Sequence, residues 1–145
     1  MTDQSTKRIV AIAILYRENQ FLMQLRDNIP TIAYPGVWGL FGGHVELGET
    51  PEVAVQRELQ EEIGYEPPEI LKFAPYEDEA VVRHVFHAPL TVGLETLVLA
   101  EGWDMGLLTV EDIRRGDRYS ERAGQVRPLG ERHQKVLLDF IDGQS

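Results

Sequence analysis

Residues Gly42–Glu66 read GGHVELGETPEVAVQRELQEEIGYE. Six glutamates lie between the glycine pair and Gly64, in a chain whose formal net charge is already -10. The segment carries its own punctuation for a helix. Thr50 is a good N-cap, and Pro51 suits the first helical position, where its missing N–H has no intrahelical partner to lose. Glu52 puts negative charge in the first turn, where the helix dipole favours it. Val55, Leu59 and Ile63 recur every four residues and form an apolar stripe. Gly64 is a C′ stop, and Pro67-Pro68 prevents continuation. A helix is therefore predicted over 50–64.

With Val55 set at 0°, Leu59 and Ile63 fall at about 40° and 80°, and Glu58, Glu61 and Glu62 at about 300°, 240° and 340°. The carboxylates thus line a face beside the apolar stripe, at the edge of a core, where a cleft can form. Charges this close repel by a few tenths of a kcal/mol per i,i+4 pair, and they raise one another's pKa. Arg57 can pair with Glu61, but that is one charge against several. A hard divalent cation suits oxygen donors, and Mg²⁺ typically takes one or two carboxylates plus substrate phosphates. A solvated Glu-rich helix is the commoner object, so the glutamates alone do not decide.

The spacing decides. From Gly43 the order is five residues, Glu49, seven residues, then Arg57-Glu58-Leu59-Gln60-Glu61-Glu62-Ile63-Gly64. This resembles the signature of the Nudix hydrolases, G-x5-E-x7-R-E-U-x-E-E-x-G-U, in which U is a bulky aliphatic residue. All seven fixed positions match, and Leu59 satisfies the first U. Tyr65 stands at the last U, a departure that bears on packing below the helix more than on chemistry. With each fixed residue near one in fifteen of average usage, a chance match is on the order of one in a million.

The resemblance implies an α/β fold, the Nudix α/β/α sandwich with a mixed sheet, and hydrolysis of a nucleoside diphosphate linked to a further group. It implies that Glu58, Glu61 and Glu62 bind Mg²⁺ or Mn²⁺ with the carbonyl of Gly42. Glu61 or Glu58 is expected to activate water, although in some relatives another loop supplies the base. Arg57 and Glu49 are expected to orient the catalytic carboxylates, and Gly43 to lie against substrate. Metal ions bridging an anionic substrate to carboxylates also explain how an acidic protein handles a nucleotide.

The rest of the chain fits one domain over residues 1–145. This is an ordinary single-domain length, and the composition, 43% hydrophobic and 26% charged, is that of a soluble globule. The acidic balance argues against duplex nucleic acid and anionic lipid as partners. With no cysteine, disulfides, thiolate metal sites and cysteine nucleophiles are excluded. "KRIVAIAIL" faintly mimics a signal peptide, but polar residues follow at once, so a buried strand is the better reading and cytoplasm the expected location. No run approaches the ~20 apolar residues of a membrane span.

Strands are expected at Ile9–Tyr16, Gln20–Arg26, Ile70–Ala74, Val81–Ala88 and Thr96–Ala100, with a short one at Gly106–Leu108. The first two should form a hairpin. Loops are expected over 27–39 and 116–130. Short and final helices are expected after Thr109 and over Glu131–Ile141.

Substrate choice is less legible. Phe41 occupies the place before the glycine pair where many relatives carry proline. Signatures of coenzyme A, NADH, ADP-ribose and diadenosine-polyphosphate subgroups are not apparent, which leaves (deoxy)nucleoside triphosphates, including oxidised ones, as the expected class. The alternatives are a nucleotide-sugar or ADP-ribose pyrophosphatase and a catalytically silent nucleotide-binding domain; the intact box glutamates count against the last. Arg26 is a candidate phosphate contact. Trp38 and Trp103 are candidates for stacking on a base, although core packing serves them as well. Tyr119 and Arg127 are placed to close over substrate. His84 and His87, three apart in a strand, face opposite sides and are no metal pair. A monomer or homodimer is expected.

Overall fold

The computed structural model describes residues 7–32 and 34–143. Its elements are β1 (Arg8–Arg17), β2 (Gln20–Leu25), β3 (Trp38–Gly39), β4 (Phe41–His44), α1 (Pro51–Ile63), β5 (Leu71–Glu77), β6 (Val81–Pro89), β7 (Asp104–Thr109), α2 (Val110–Arg115), β8 (Asp117–Ser120), β9 (Gln125–Pro128) and α3 (Glu131–Gly143).

β1 organises the sheet. It pairs in parallel with β6 along Arg8–Tyr16, and its end joins β2 in the expected hairpin. Its first half pairs instead with β4, antiparallel from Val10–His44 to Ala13–Phe41. β2 continues alone toward β3 and β7. The sheet therefore divides between β2 and β4, and β5 closes the far edge against β6.

Both faces are covered, which explains why β1 reads as a continuous apolar run rather than an alternating one. Ala11, Ala13 and Leu15 point one way and pack with Val55, Leu59 and Ile63 of α1. Ile12 and Ile14 point the other way and pack with Ile113 of α2 and Val136, Leu137 and Phe140 of α3. This is the three-layered α/β/α sandwich with a mixed sheet.

The helix ends follow their sequence cues. Thr50 caps α1 by accepting from the Val53 N–H, and Gly64 closes it in the left-handed region at φ 66°. Thr109 and Asp112 form a reciprocal capping box on α2.

Three expectations are corrected. Thr96–Ala100 is not a strand. Leu94–Thr96 is a 3₁₀ turn, and the N–H groups of Val98 and Ala100 then donate to the Ile63 and Glu62 carbonyls, so this segment satisfies the end of α1 rather than a sheet. The segment 116–130 is not a plain loop, because β8 and β9 form a hairpin whose turn is closed at Gly124, φ 67°. The loop expected over 27–39 ends in a short strand, β3, which pairs antiparallel with the end of β2.

Candidate active site

Arg57 is the centre of the glutamate face. Its Nε donates to Glu49 Oε2 at 2.7 Å and its Nη2 to Glu49 Oε1 at 3.0 Å, a two-pronged pair. Nη1 reaches Glu58 at 3.0 Å and Glu61 at 3.2 Å, and Nη2 also donates to the His44 carbonyl at 3.0 Å. One guanidinium thus ties the strand end, the loop carboxylate and two helix carboxylates together. The hydrogen bond with Glu49, then that with Glu58, holds its pKa above the ordinary arginine value. The same bond to Arg57 lowers that of Glu49.

The three helix carboxylates are not equivalent. Glu61 is largely open, with its side chain 59% exposed, whereas Glu58 is 18% exposed. Glu58 lies against Gly43, where an added Cβ would come within 2.6 Å of its carboxylate. The missing side chain at Gly43 is the space that Glu58 occupies. Glu62 turns inward and accepts the Gly42 N–H at 2.9 Å. Burial pushes its carboxyl up to about 7. The Gly42 hydrogen bond opposes that shift, the charge of Glu58 adds to it, and Gln24 and Arg26 pull it back. Two carboxylates pressed together and paired with a single arginine make a place for added positive charge.

Among the described residues no three His, Asp or Glu side chains stand grouped as a ready metal cage. The reason lies in the hydrogen bonds just given: Arg57 engages Glu58 and Glu61, and Glu62 is turned onto Gly42. The donor set is nevertheless all oxygen, and Gly43 leaves a recess for Glu58 beside the backbone. These residues fit a hard divalent cation.

On the other side of β4, where the sheet divides, a cleft of about 710 Å³ opens. Gly42 and Gly43 form its inner end beside the glutamate face, and Arg26 lines it too. Val37, Ile12 and Leu129 give it an apolar wall, Tyr34 stands at it, and Arg83 and His133 add polar groups. The start of α3 is stitched to this wall. The Gly130 N–H donates to the Trp38 carbonyl at 2.9 Å, and the Leu40 N–H donates to His133 Nδ1 at 2.7 Å.

Residues 6–129 match the model of the NUDIX domain. The chain belongs to the Nudix hydrolase family. It is similar to a MutT-like protein of Streptomyces ambofaciens, 31% identical over 146 residues, covering 98% of this chain and 82% of that one. Over 44 residues it is 52% identical to the 8-oxo-dGTP diphosphatase of Escherichia coli, a match that spans 30% of this chain and only 34% of that enzyme. Among solved structures, the E. coli ORF135 protein superposes with a TM-score of 0.75 at 24% identity, covering 100% of this chain and 96% of that one. The NUDIX domain of Shewanella oneidensis NrtR, solved with ADP ribose, gives 0.72 at 19% identity, with 99% and 94% covered. At these identities the superpositions speak for the fold.

The Nudix box is therefore assembled as its spacing implies: Glu49, Arg57, Glu58, Glu61, Glu62, Gly42 and Gly43 converge. Arg26 joins them from just after β2, near enough for its charge to act on Glu62. Other candidates do not join. Trp38 is 1% exposed and donates its indole N–H to the Arg118 carbonyl, so it is core and cannot stack on a ligand. Trp103 packs against the same core. Arg127 donates to the Gly36 carbonyl at 2.8 Å, pinning the loop before β3, and Tyr119 lines a separate, shallower hollow beside β7. His87 sits against Tyr16 and Phe140, on the opposite face from His84 as expected. Gln24, Tyr34, Arg83 and His133 were not legible as site residues; the fold brings them to the cleft or to Glu62 from separate segments. No described helix is long and apolar enough to cross a membrane.

Proposed function

We propose that this chain is a metal-dependent pyrophosphohydrolase acting on (deoxy)nucleoside triphosphates, including oxidised ones such as 8-oxo-dGTP, with release of the monophosphate and pyrophosphate. The observation that carries the reading is the carboxylate face itself, with Glu58 recessed against Gly43 and held, together with Glu49 and Glu61, by Arg57.

Glu58, Glu61, Glu62 and the Gly42 carbonyl would hold Mg²⁺ or Mn²⁺. Such an ion supplies positive charge against the pyrophosphate oxygens and acidifies water. Arg57 and Glu49 keep the carboxylates aimed. An ionised Glu58 or Glu61 takes the proton of the attacking water, which favours neutral to alkaline pH. Arg26, at the inner end of the cleft, is suited to a phosphate. The nucleoside then projects past Gly42 and Gly43 into the cleft, whose volume is within the range of small-ligand sites.

The triphosphate class is supported by the 8-oxo-dGTP diphosphatase of E. coli and the putative one of Bacillus subtilis among the relatives. An ADP-ribose pyrophosphatase of Methanocaldococcus jannaschii is also similar, 44% identical over 54 residues, 37% of this chain. A panel of nucleoside triphosphates, oxidised triphosphates, ADP-ribose and nucleotide sugars with Mg²⁺ or Mn²⁺, with products identified, tests the reading. Pyrophosphate plus monophosphate supports it. Turnover of ADP-ribose or sugar nucleotides alone overturns the triphosphate assignment, and no turnover of any member overturns the activity.

A further inference from the structure

His133 carries more than a packing role. Its Nδ1 accepts the Leu40 backbone N–H at 2.7 Å. A backbone N–H can only donate, so Nδ1 holds a lone pair, and in the neutral ring the proton sits on Nε2. The ring cannot be turned over without setting a C–H against that N–H. Gly39 supports the placement, since a Cβ there would lie 3.1 Å from Nδ1. Burial, with the charges of Arg83 and Arg26 beside it, lowers the ring's pKa to about 4, which keeps it neutral. Nε2 forms no hydrogen bond among the described residues and is not sealed from solvent; the ring lines the cleft. One nitrogen ties α3 to the residue between β3 and β4, and the other presents a fixed N–H to whatever fills the cleft.

We propose that His133 Nε2–H is a specificity-determining donor that reads a carbonyl oxygen on the substrate's base, so that bases bearing an oxo group are preferred to those bearing an amino group at the same position. The inference rests on the triphosphate reading above. Arg83 lines the same cleft with its Nη1 held by Asp78 at 2.9 Å, and its guanidinium likewise has donors only. An exocyclic amino group set against Nε2–H would meet a donor with a donor, and a buried unpaired donor costs about 1–3 kcal/mol.

The test compares ITP with ATP, which differ at position 6 by oxo against amino, and UTP with CTP, which differ likewise at position 4. The wild-type chain should show kcat/KM at least about 10-fold higher for the oxo member of one pair or both. His133→Asn keeps an oxygen near Nδ1 for the Leu40 N–H but loses the outward donor, and the ratio should fall below about threefold while the thermal midpoint moves by only a few degrees. Nitrogen-15 NMR should show Nδ1 unprotonated and Nε2 protonated at pH 7, and IMP, with EDTA present, should shift the Nε2–H signal. Two results overturn the inference and leave the activity standing: turnover of all four nucleotides without oxo preference, or an unchanged preference in well-folded His133→Asn. If all four fail while ADP-ribose or a sugar nucleotide is cleaved, the triphosphate reading fails and the inference with it.

Discussion

The glutamate face and the cleft lie on opposite sides of β4, and they are built in opposite ways. The glutamate face comes from one continuous segment, Gly42–Gly64, whose helix repeat and loop length place every member. The cleft is gathered from β1, the residue after β2, the segment through β3 and β4, β6 and the start of α3, which meet only because β1 pairs with β4 along one part and β2 along another. The first region holds the carboxylates proposed to do the chemistry. The second presents shape and hydrogen-bond donors, and the two share only Gly42, Gly43 and His44 of β4.

That contrast can be broken by experiment. The largest expected effect is Glu58→Gln, with kcat lower by about 10³-fold and little change in thermal midpoint, since the side chain holds no core contact. Normal turnover by well-folded Glu58→Gln and Glu61→Gln proteins would sink the assignment of the glutamate face. Arg57→Lys should reduce kcat by about 10²-fold, because a single ammonium cannot grip Glu49 in two places while reaching Glu58 and Glu61; retention of wild-type kcat would show that the carboxylates aim themselves.

The two neighbouring glycines sharpen the comparison further. At Gly42, φ is +147° and an added Cβ would meet the Ile12 Cα at 2.7 Å, so Gly42→Ala should cost about 2 kcal/mol or more in urea unfolding. At Gly43 the obstacle is the far end of the Glu58 side chain rather than backbone, so Gly43→Ala should fold normally and lose turnover by roughly tenfold or more through a displaced carboxylate. Equal stability losses at both positions would deny that Gly43 serves the site. The last effect concerns acid. The folded His133 ring has its pKa depressed to about 4, against an ordinary value of 6.5, so its contribution to stability is present above pH 6.5 and lost as pH falls toward 4. Its loss accounts for on the order of 3 kcal/mol between pH 7 and pH 4, and His133→Asn should flatten that limb in pH-dependent unfolding. An unchanged limb would show that His133 is readily protonated in place.

The same contrast explains what could be read in advance. Thr50, Gly64 and the Val55–Leu59–Ile63 stripe act locally, so α1 and its carboxylates were legible residue by residue. So was the double-sided burial of β1. What escaped depends on partners far along the chain. Nothing near Thr96–Ala100 announces that its N–H groups end α1, and the β-like residues there are satisfied by Leu97 packing under the helix. Trp38 looks like a ligand-facing aromatic until Arg118, eighty residues on, accepts its indole N–H. His133 is one polar residue in an amphipathic helix until Leu40 fixes its tautomer.

The long parallel pairing of β1 with β6 also sets a timetable. β1 ends at Arg17, yet its parallel partner ends only at Pro89. At the usual 5–20 residues per second of synthesis, β1 waits for about 4–14 s before that partner exists. Its apolar run is meanwhile an unpaired edge, open to the wrong neighbour. Closing so wide a loop also makes folding slow relative to helical proteins of this size. The early hairpin with β2 and the arrival of β4 cover β1 on one side only, so during those seconds its other edge stays open.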